Sequence, residues 1–280
     1  MMSRDERRNP HDARIGARSG GRVRRPTAAA AQAHPPHTLR LDQCALFLDV
    51  DGTLIDIAAR PTDVVGDAQL LQLLRTLRTR CNDALALISG RSISDLDRIT
   101  APERFAAAGL HGFERRNARG DCVRRASPTT QKMEEIRRVL SQLVSSHPQL
   151  LLEDKEYAVA VHYRQAPQLQ AVVESVISDL PGLQACGLRV QQGRMVAEIT
   201  PSNASKASAL AEFMAEFPFK GRTPVYVGDD ITDESAFKWT NAAGGLSIAV
   251  GRRPSSSARG RLDSVDAVRV WLHALTGAQG

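Results

Sequence analysis

The sequence predicts an α/β fold: a doubly wound, Rossmann-like core with a parallel sheet, and a smaller α/β domain inserted into that core. The first observation is an alternation of apolar runs of strand length with segments of helical periodicity. The second is a separate rhythm, roughly αββαββ, over residues 128–200, after which the first rhythm resumes. We therefore expect a core formed by 41–127 and 201–280, interrupted by one inserted domain.

The core begins with the apolar run Cys44-Ala45-Leu46-Phe47-Leu48, which stops at Asp49-Val50-Asp51-Gly52-Thr53. An unbroken apolar run is typical of a strand buried on both faces in the middle of a parallel sheet. Strand side chains alternate faces, so Asp49 and Asp51 can turn the same way where the chain leaves the sheet. Asp-Gly between apolar residues is also a hairpin signal, so a plain tight turn is the alternative at this point.

A helix and a second strand follow. Leucines spaced three and four residues apart give residues 65–80 one apolar helical face. The run 84–88 predicts a buried strand ending at Ser89-Gly90-Arg91, and a helix is expected from Ser92. Because ligands of doubly wound sheets bind beyond the carboxyl ends of the strands, Ser89 should reach the same rim as Asp49.

The pattern then changes to shorter elements. Short strands separated by turn residues are expected over 105–123, one of them over 107–113. Ser127-Pro128 is the expected hinge into the insertion. The elements expected within the insertion are a helix over 133–144, a strand over 157–163, a helix over 169–180 and a hairpin of 188–190 with 195–199.

The core pattern resumes after residues 200–202. The expected elements are a helix over 206–217, a short buried strand over 224–227, a strand over 247–250 and a closing helix over 265–275. The strand over 224–227 is followed by Gly228-Asp229-Asp230-Ile231-Thr232-Asp233, so it delivers further acids to the rim of Asp49 and Ser89.

Several carboxylates are thus expected at one edge of the sheet. Such a cluster without a cation would repel itself and force abnormal protonation, whereas a bound divalent metal removes that difficulty. All-oxygen ligands fit Mg²⁺ better than zinc. The predicted ligands are Asp49, Asp51, Asp229 and Asp233, with Asp230 as the alternative to Asp233.

These residue types also suit phosphoryl transfer, where catalysis is mostly positioning and charge neutralisation. Asp49 is the expected nucleophile, and Asp51 the expected general acid and then general base. Thr53 and Ser89 would hold the phosphoryl oxygens, and Lys206 would offset charge on the nucleophile and phosphate. Each residue alone has a mundane alternative, such as a helix cap or a solvated face. Their order after three buried strands argues against those alternatives.

Charge and cysteine content restrict the partners. Residues 1–39 hold eight arginines against three acidic residues, so most of the net charge of +6 lies in an Arg-rich tail over 1–40, which we expect to be disordered. Electrostatic binding of that tail to nucleic acid is the less favoured alternative.

The four cysteines lack zinc or disulfide spacing, and no apolar run reaches the length of a membrane span. We expect a cytoplasmic monomer with no membrane partner.

The catalytic motifs resemble those of the haloacid dehalogenase-like (HAD) phosphohydrolase superfamily: D-x-D-G-T at 49–53, the motif serine Ser89, the motif lysine Lys206 and G-D-D-x-x-D at 228–233. Within it, the chain over about 41–275 resembles the trehalose-6-phosphate phosphatase family. The segments that carry this narrower resemblance are 86–91, 109–112, 162–164 and 196–199.

The resemblance implies Mg²⁺-dependent hydrolysis of trehalose 6-phosphate through an aspartyl-phosphate, as a step of trehalose biosynthesis. It implies that the insertion is a mobile cap of the C2 type whose Glu153, Lys155 and Glu198 face the sugar hydroxyls. Without the resemblance, Glu153 and Lys155 could equally lie in a solvated loop, and His111 could simply pack at the junction of core and cap. The full set of expected substrate contacts is Thr53, Gly90, Arg91, His111, Gly112, Glu153, Lys155 and Glu198.

Three alternatives remain open. The chain could be a phosphatase of the same superfamily for sucrose 6-phosphate or mannosyl phosphoglycerate, or a phosphomutase that returns phosphate to the sugar. It could also be a catalytically silent binding domain attached to nucleic acid through its tail. The intact set of acids and lysine argues against the silent domain.

Overall fold

A buried strand over Cys44–Leu48 is an inner strand of the larger of two sheets. The structure, a computed structural model, describes residues 33–58, 64, 66–125, 130–193, 195–252 and 256–277. The elements in chain order are β1 (Cys44–Leu48), α1 (Ala68–Arg80), β2 (Leu85–Ile88), α2 (Ile93–Thr100), β3 (Ala106–Gly109), β4 (Glu114–Arg116), β5 (Cys122–Arg124), α3 (Thr130–Ser146), β6 (Leu151–Asp154), β7 (Val159–His162), α4 (Gln170–Ser178), β8 (Leu188–Gly193), β9 (Val196–Pro201), α5 (Lys206–Met214), β10 (Thr223–Gly228), α6 (Glu234–Ala242), β11 (Leu246–Val250), β12 (Gly260–Leu262) and α7 (Val265–Gly277).

The larger sheet has eight strands in the order β12-β11-β10-β1-β2-β3-β4-β5. The six strands from β12 to β3 run parallel, and β4 and β5 add an antiparallel edge. All five residues of β1 are buried, as expected for a central strand covered on both faces. Leu48 pairs with both Val227 and Leu87, so the carboxyl ends of β10, β1 and β2 meet at one edge. The predicted α/β fold with a doubly wound parallel core is confirmed.

A second sheet of four antiparallel strands has the order β6-β7-β9-β8. Its strands and the helices α3 and α4 follow the predicted order αββαββ. Ile136, Val161 and Val173 belong to an apolar cluster that is separate from the cluster around β1. The expected hinge at Ser127-Pro128, and with it the boundary at 127/128, lies outside the described residues.

Several local predictions were wrong. The strand expected over 107–113 ends at Gly109, because Leu110 and His111 have φ of 49° and 56°, in the left-handed region that no strand can continue. Helix α5 ends at Met214, earlier than expected. Helix α6 and strand β12 were not predicted.

The chain before β1 also differs from the prediction. Ala33 forms an isolated parallel bridge with Gly260, and Trp271 Nε1 donates a 2.9 Å hydrogen bond to the Pro36 carbonyl. Residues 33–40 therefore contact the core, and placing them in the tail was wrong; residues 1–32 lie outside the described part of the chain. Across the described residues, no helix is both long and apolar enough to cross a membrane.

Candidate active site

Asp49 lies at the carboxyl edge of the core sheet because β1 ends one residue before it. Its backbone N–H donates to the Val227 carbonyl at 2.9 Å, which holds it against β10. Its side chain accepts hydrogen bonds from Lys206 Nζ on Oδ1 at 2.7 Å and from Thr53 Oγ1 on Oδ2 at 3.2 Å. The carboxylate is 4% exposed, so its orientation is set by these two donors.

Lys206 is the first residue of α5, whose start is fixed by Ser205 as N-cap. Its Nζ donates to Asp49 Oδ1 at 2.7 Å and to Asp233 Oδ1 at 2.5 Å. Burial would lower the pKa of the Lys206 ammonium, but Asp233 and Asp49 hold that pKa above its usual value. Lys206 is therefore a permanent positive charge between the two acids.

Three acids gather here: Asp49, Asp229 and Asp233 offer carboxylate oxygens that lie within 4.8 Å of one another. Burial, together with Asp233 and Asp51, raises the pKa of Asp49 to about 7 despite Lys206. Burial and the charges of Asp49 and Asp233 raise the pKa of Asp229 to about 9. One lysine does not neutralise three carboxylates, so this oxygen-only set fits a hard divalent cation.

Asp233 carries the densest set of contacts in the group. It is fully buried, and besides Lys206 it accepts from the Tyr226 hydroxyl at 2.5 Å and from the Asp230 backbone N–H at 2.8 Å. Asp230 turns instead to the Ile231 backbone N–H at 2.7 Å, so Asp233 is the acid that joins the group. Tyr226 was missed by the sequence analysis, although a hydroxyl on an apolar strand that leads to acids was an available signal.

The Asp51 carboxylate does not join the acid group. Arg91 Nε donates to its Oδ2 at 2.7 Å and Arg91 Nη2 to its Oδ1 at 2.6 Å, so both oxygens are held by one guanidinium. The Asp51 side chain therefore lies outside this group, and the metal contact expected of Asp51 stays a prediction. The residue after Asp51 must be glycine, since Gly52 has φ of +77° and a Cβ there would lie 2.2 Å from Asp229 Oδ2.

Ser89 and Gly90 follow β2 at the same edge. Ser89 is 1% exposed, and its Oγ accepts from the Arg91 backbone N–H at 3.1 Å. The Gly90 carbonyl accepts from Lys155 Nζ at 3.1 Å, which joins this loop to the smaller sheet. The predicted meeting of Ser89 with Asp49 is seen in the cavity that both residues line.

A buried polar cluster connects the two sheets. Glu198 on β9 accepts from Lys155 Nζ on Oε1 at 3.1 Å, and its Oε2 lies 2.9 Å from His111 Nε2 of the core. Burial alone would raise the pKa of Glu198, but Lys155 and His111 hold that pKa well below its usual value. Glu153 completes the cluster, with Oε2 at 2.8 Å from His162 Nε2.

These groups surround a cavity of about 160 Å³. The predicted site residues on its wall are Asp49, Asp51, Ser89, Gly90, Arg91, His111, Glu153, Lys155, Glu198, Lys206 and Asp229. Thr53 and Gly112 are not on this wall: Thr53 is fully buried behind Asp49, and a Cβ on Gly112 would lie 2.5 Å from the Ser205 carbonyl. The substrate contacts expected of Thr53 and Gly112 stay predictions. His162, Arg164 and Thr232 also line the cavity and had been given no role.

Comparison with known proteins adds independent information. Residues 47–266 match the model of the family described as Trehalose-phosphatase. The chain is 42% identical over 242 residues to the trehalose-6-phosphate phosphatase of Escherichia coli K12, covering 84% of this chain and 87% of that protein. It is 40% identical over 236 residues to a probable trehalose-phosphate phosphatase of Sinorhizobium fredii, covering 84% and 88%.

A solved structure shows the same fold. The C-terminal domain of the C. albicans trehalose-6-phosphate phosphatase superposes with a TM-score of 0.77 at 22% sequence identity. The match covers 89% of this chain and 99% of that domain, so it includes strands of both sheets.

Proposed function

The chain belongs to the trehalose-phosphatase family, and on that premise we propose that it hydrolyses trehalose 6-phosphate to trehalose and inorganic phosphate. The observation that carries this proposal is the buried contact of Asp49 with Lys206, in a cavity that is also lined by Glu153, Lys155 and Glu198. A nucleophile and its charge partner lie on the core, and carboxylate and ammonium groups suited to sugar hydroxyls lie above them.

In the first step, an oxygen of Asp49 attacks phosphorus, and the bond between phosphorus and the sugar oxygen breaks. Asp51 gives a proton to that oxygen, so trehalose leaves as an alcohol and an aspartyl-phosphate remains. In the second step, Asp51 takes a proton from water, which attacks phosphorus and releases phosphate and free Asp49. Lys206 stays charged and offsets negative charge throughout, and the Ser89 hydroxyl is the donor on the cavity wall for a phosphoryl oxygen.

We propose Mg²⁺ as the metal, held by Asp49, Asp229 and Asp233. The raised pKa values of Asp49 and Asp229 support this assignment, since they reflect carboxylates crowded in a buried site with one lysine. When bound, Mg²⁺ would neutralise charge on the carboxylates and phosphate. Phe47 and the other residues of β1, which precede Asp49, are buried.

The sugar is proposed to contact Glu153, Lys155 and Glu198 of the inserted cap. In the structure, Lys155 and Glu198 bind the Gly90 carbonyl and His111 of the core. Sugar hydroxyls would replace these partners, donating to Glu198 and accepting from Lys155. His111 lines the same cavity and completes the proposed contacts.

The test is phosphate release from trehalose 6-phosphate with Mg²⁺ and again with EDTA. A panel of sucrose 6-phosphate, mannosyl phosphoglycerate and glucose 6-phosphate gives the specificity. We expect trehalose 6-phosphate to lead glucose 6-phosphate by about 100-fold or more in kcat/KM, because the missing ring leaves polar groups of the cap unpaired. Equal rates across the panel would overturn the assignment, and phosphate returned to the sugar would identify a phosphomutase.

We also propose that the protein acts as a cytoplasmic monomer. All four cysteines are free thiols in the structure, which suits a reducing compartment. Sedimentation velocity of the purified protein tests the monomer.

A further inference from the structure

The contact between Arg91 and Asp51 has a geometry that fixes the plane of the carboxyl group. Two N–H groups of the guanidinium donate to the two carboxylate oxygens at 2.7 Å and 2.6 Å. Such a forked pair restricts rotation of the carboxylate in a way that a single hydrogen bond or a lysine cannot. The Arg91 side chain is 7% exposed and that of Asp51 is 32% exposed, and both residues line the cavity.

Both partners are anchored by their backbones. The Arg91 N–H donates to Ser89 Oγ at 3.1 Å, and the Arg91 carbonyl accepts from the Leu110 N–H at 2.9 Å, which ties it to the ends of β2 and β3. Asp51 lies in the turn after β1, where it forms a bridge with Ile55. The guanidinium therefore reaches Asp51 from a neighbouring strand end, independently of the Asp49 and Lys206 pair.

This restraint matters because Asp51 is two residues from Asp49. A freely rotating carboxylate beside a site for a hard divalent cation would become a further ligand, since such cations prefer carboxylate oxygens. A carboxyl group bound to metal could not carry a proton to the leaving oxygen. The structure shows Asp51 outside the group formed by Asp49, Asp229 and Asp233.

We propose that Arg91 is a positioning residue that keeps the Asp51 carboxyl group turned toward the leaving oxygen and away from the metal. This inference rests on the proposed phosphatase function. It differs from the substrate contact expected of Arg91 from the sequence.

The first test compares two leaving groups in the Arg91→Gln variant. Single-turnover release of trehalose from trehalose 6-phosphate requires a proton on the leaving oxygen, whereas nitrophenolate leaves p-nitrophenyl phosphate as a stable anion. We expect the variant to slow trehalose release about 100-fold, the scale of a lost general acid, and nitrophenolate release by less than about threefold. Asp51→Asn should give the same selective pattern, and Arg91→Lys should restore trehalose release only in part.

A matched control is Arg78→Gln, which breaks an ion pair with Glu103 far from the cavity and should change neither rate. Equal slowing of both leaving groups in Arg91→Gln would overturn the proposal, because lost phosphate binding or a damaged fold acts on both. If the wild-type protein released nitrophenolate but no trehalose, the proposed substrate would fail instead.

The second test needs no substrate and measures the affinity for Mn²⁺ alone by electron paramagnetic resonance. Arg91→Gln should tighten Mn²⁺ binding at least about threefold by freeing Asp51, and the same change in an Asp51→Asn background should have no effect. Loss of one positive charge by itself would tighten binding in both backgrounds. That result, or an unchanged affinity in Arg91→Gln, would overturn the claim that the pair keeps the Asp51 carboxyl group out of the metal shell.

Discussion

Lys206 Nζ lies 2.7 Å from Asp49 Oδ1, although 157 positions separate the two residues in the chain. Asp49 follows a strand that precedes the insertion, and Lys206 begins the first helix after it. The proposed reaction centre is therefore assembled from residues on both sides of the inserted segment in the chain.

The nucleophile assignment predicts the outcome of Asp49→Asn. The amide keeps the shape of the side chain and can still accept from Thr53, but it is a poor nucleophile and a poor metal ligand. We expect kcat to fall about 10⁴-fold or more with little change in thermal stability. Asp56→Asn, which changes an exposed acid near the same turn, is the control and should keep full activity. Substantial turnover in Asp49→Asn would show that another group attacks phosphorus.

The acid group predicts a stabilising effect of Mg²⁺ on the folded protein. Binding at a concentration about 100 times the dissociation constant adds about 2.7 kcal/mol to the free energy of unfolding. For a chain of this size, that raises Tm by about 5–10 °C. Asp229→Asn should lose most of this shift in differential scanning fluorimetry. Asp230→Asn should keep it, because Asp230 lies outside the group; equal shifts in both variants would place the metal elsewhere.

Gly112 and Gly120 allow a matched test of how closely the chain at Gly112 approaches Ser205, the N-cap of α5. Their φ values are +98° and +95°, but a Cβ on Gly112 would lie 2.5 Å from the Ser205 carbonyl, whereas nothing lies within 4 Å of one on Gly120. Gly120→Ala should lower the free energy of unfolding by about 1 kcal/mol through backbone strain alone. Gly112→Ala should cost about 1–3 kcal/mol more, since the backbone must shift. Urea unfolding measures both, and equal losses would mean that the close approach is not rigid.

The depressed pKa of Glu198 predicts how its contribution to stability depends on pH. Lys155 and His111 outweigh the cost of burial and hold the pKa of Glu198 below its ordinary value of 4.5. Its stabilising effect is thus complete above about pH 4.5 and declines as the pH falls further toward the folded-state pKa.

At pH 7, Glu198→Gln should lower the free energy of unfolding by about 2 kcal/mol, the scale of a hydrogen bond to a charged group. The difference from wild type should shrink in denaturant unfolding between pH 4.5 and 3, because the wild type loses its advantage there. Glu134→Gln, at an exposed position of α3, should show no such trend. A gap that stays constant on acidification would contradict the role of the ionised carboxylate.

The core of the site could be predicted from sequence because its position follows from strand burial. The runs before Asp49 and Asp229 are apolar throughout, and parallel strands end at one edge, so the two acids had to meet. The same logic placed Ser89. In these cases the apolar run that predicts a buried strand also predicts the edge of the sheet at which the next residue lies.

The contacts that each side chain forms could not be predicted from strand burial. Spacing brings Asp51 to the edge of the sheet but does not show that Arg91, on a loop that follows another strand, takes both its oxygens. The left-handed backbone of Leu110 and His111 interrupts an apolar run that otherwise resembles a strand. The contact of Pro36 with Trp271 joins residues that are 235 positions apart, and no short-range pattern reports such a pairing.

The inserted segment begins after β5, which is an edge strand of the larger sheet. It ends after β9, and the next helix starts with Lys206. Its route never passes between the central strands that carry Asp49 and Asp229. Substitutions in the smaller sheet could therefore change which substrate fits without moving Asp49 and Asp229. Evolutionary diversification of such a chain should therefore be concentrated in the inserted segment, while the strands beneath it change slowly.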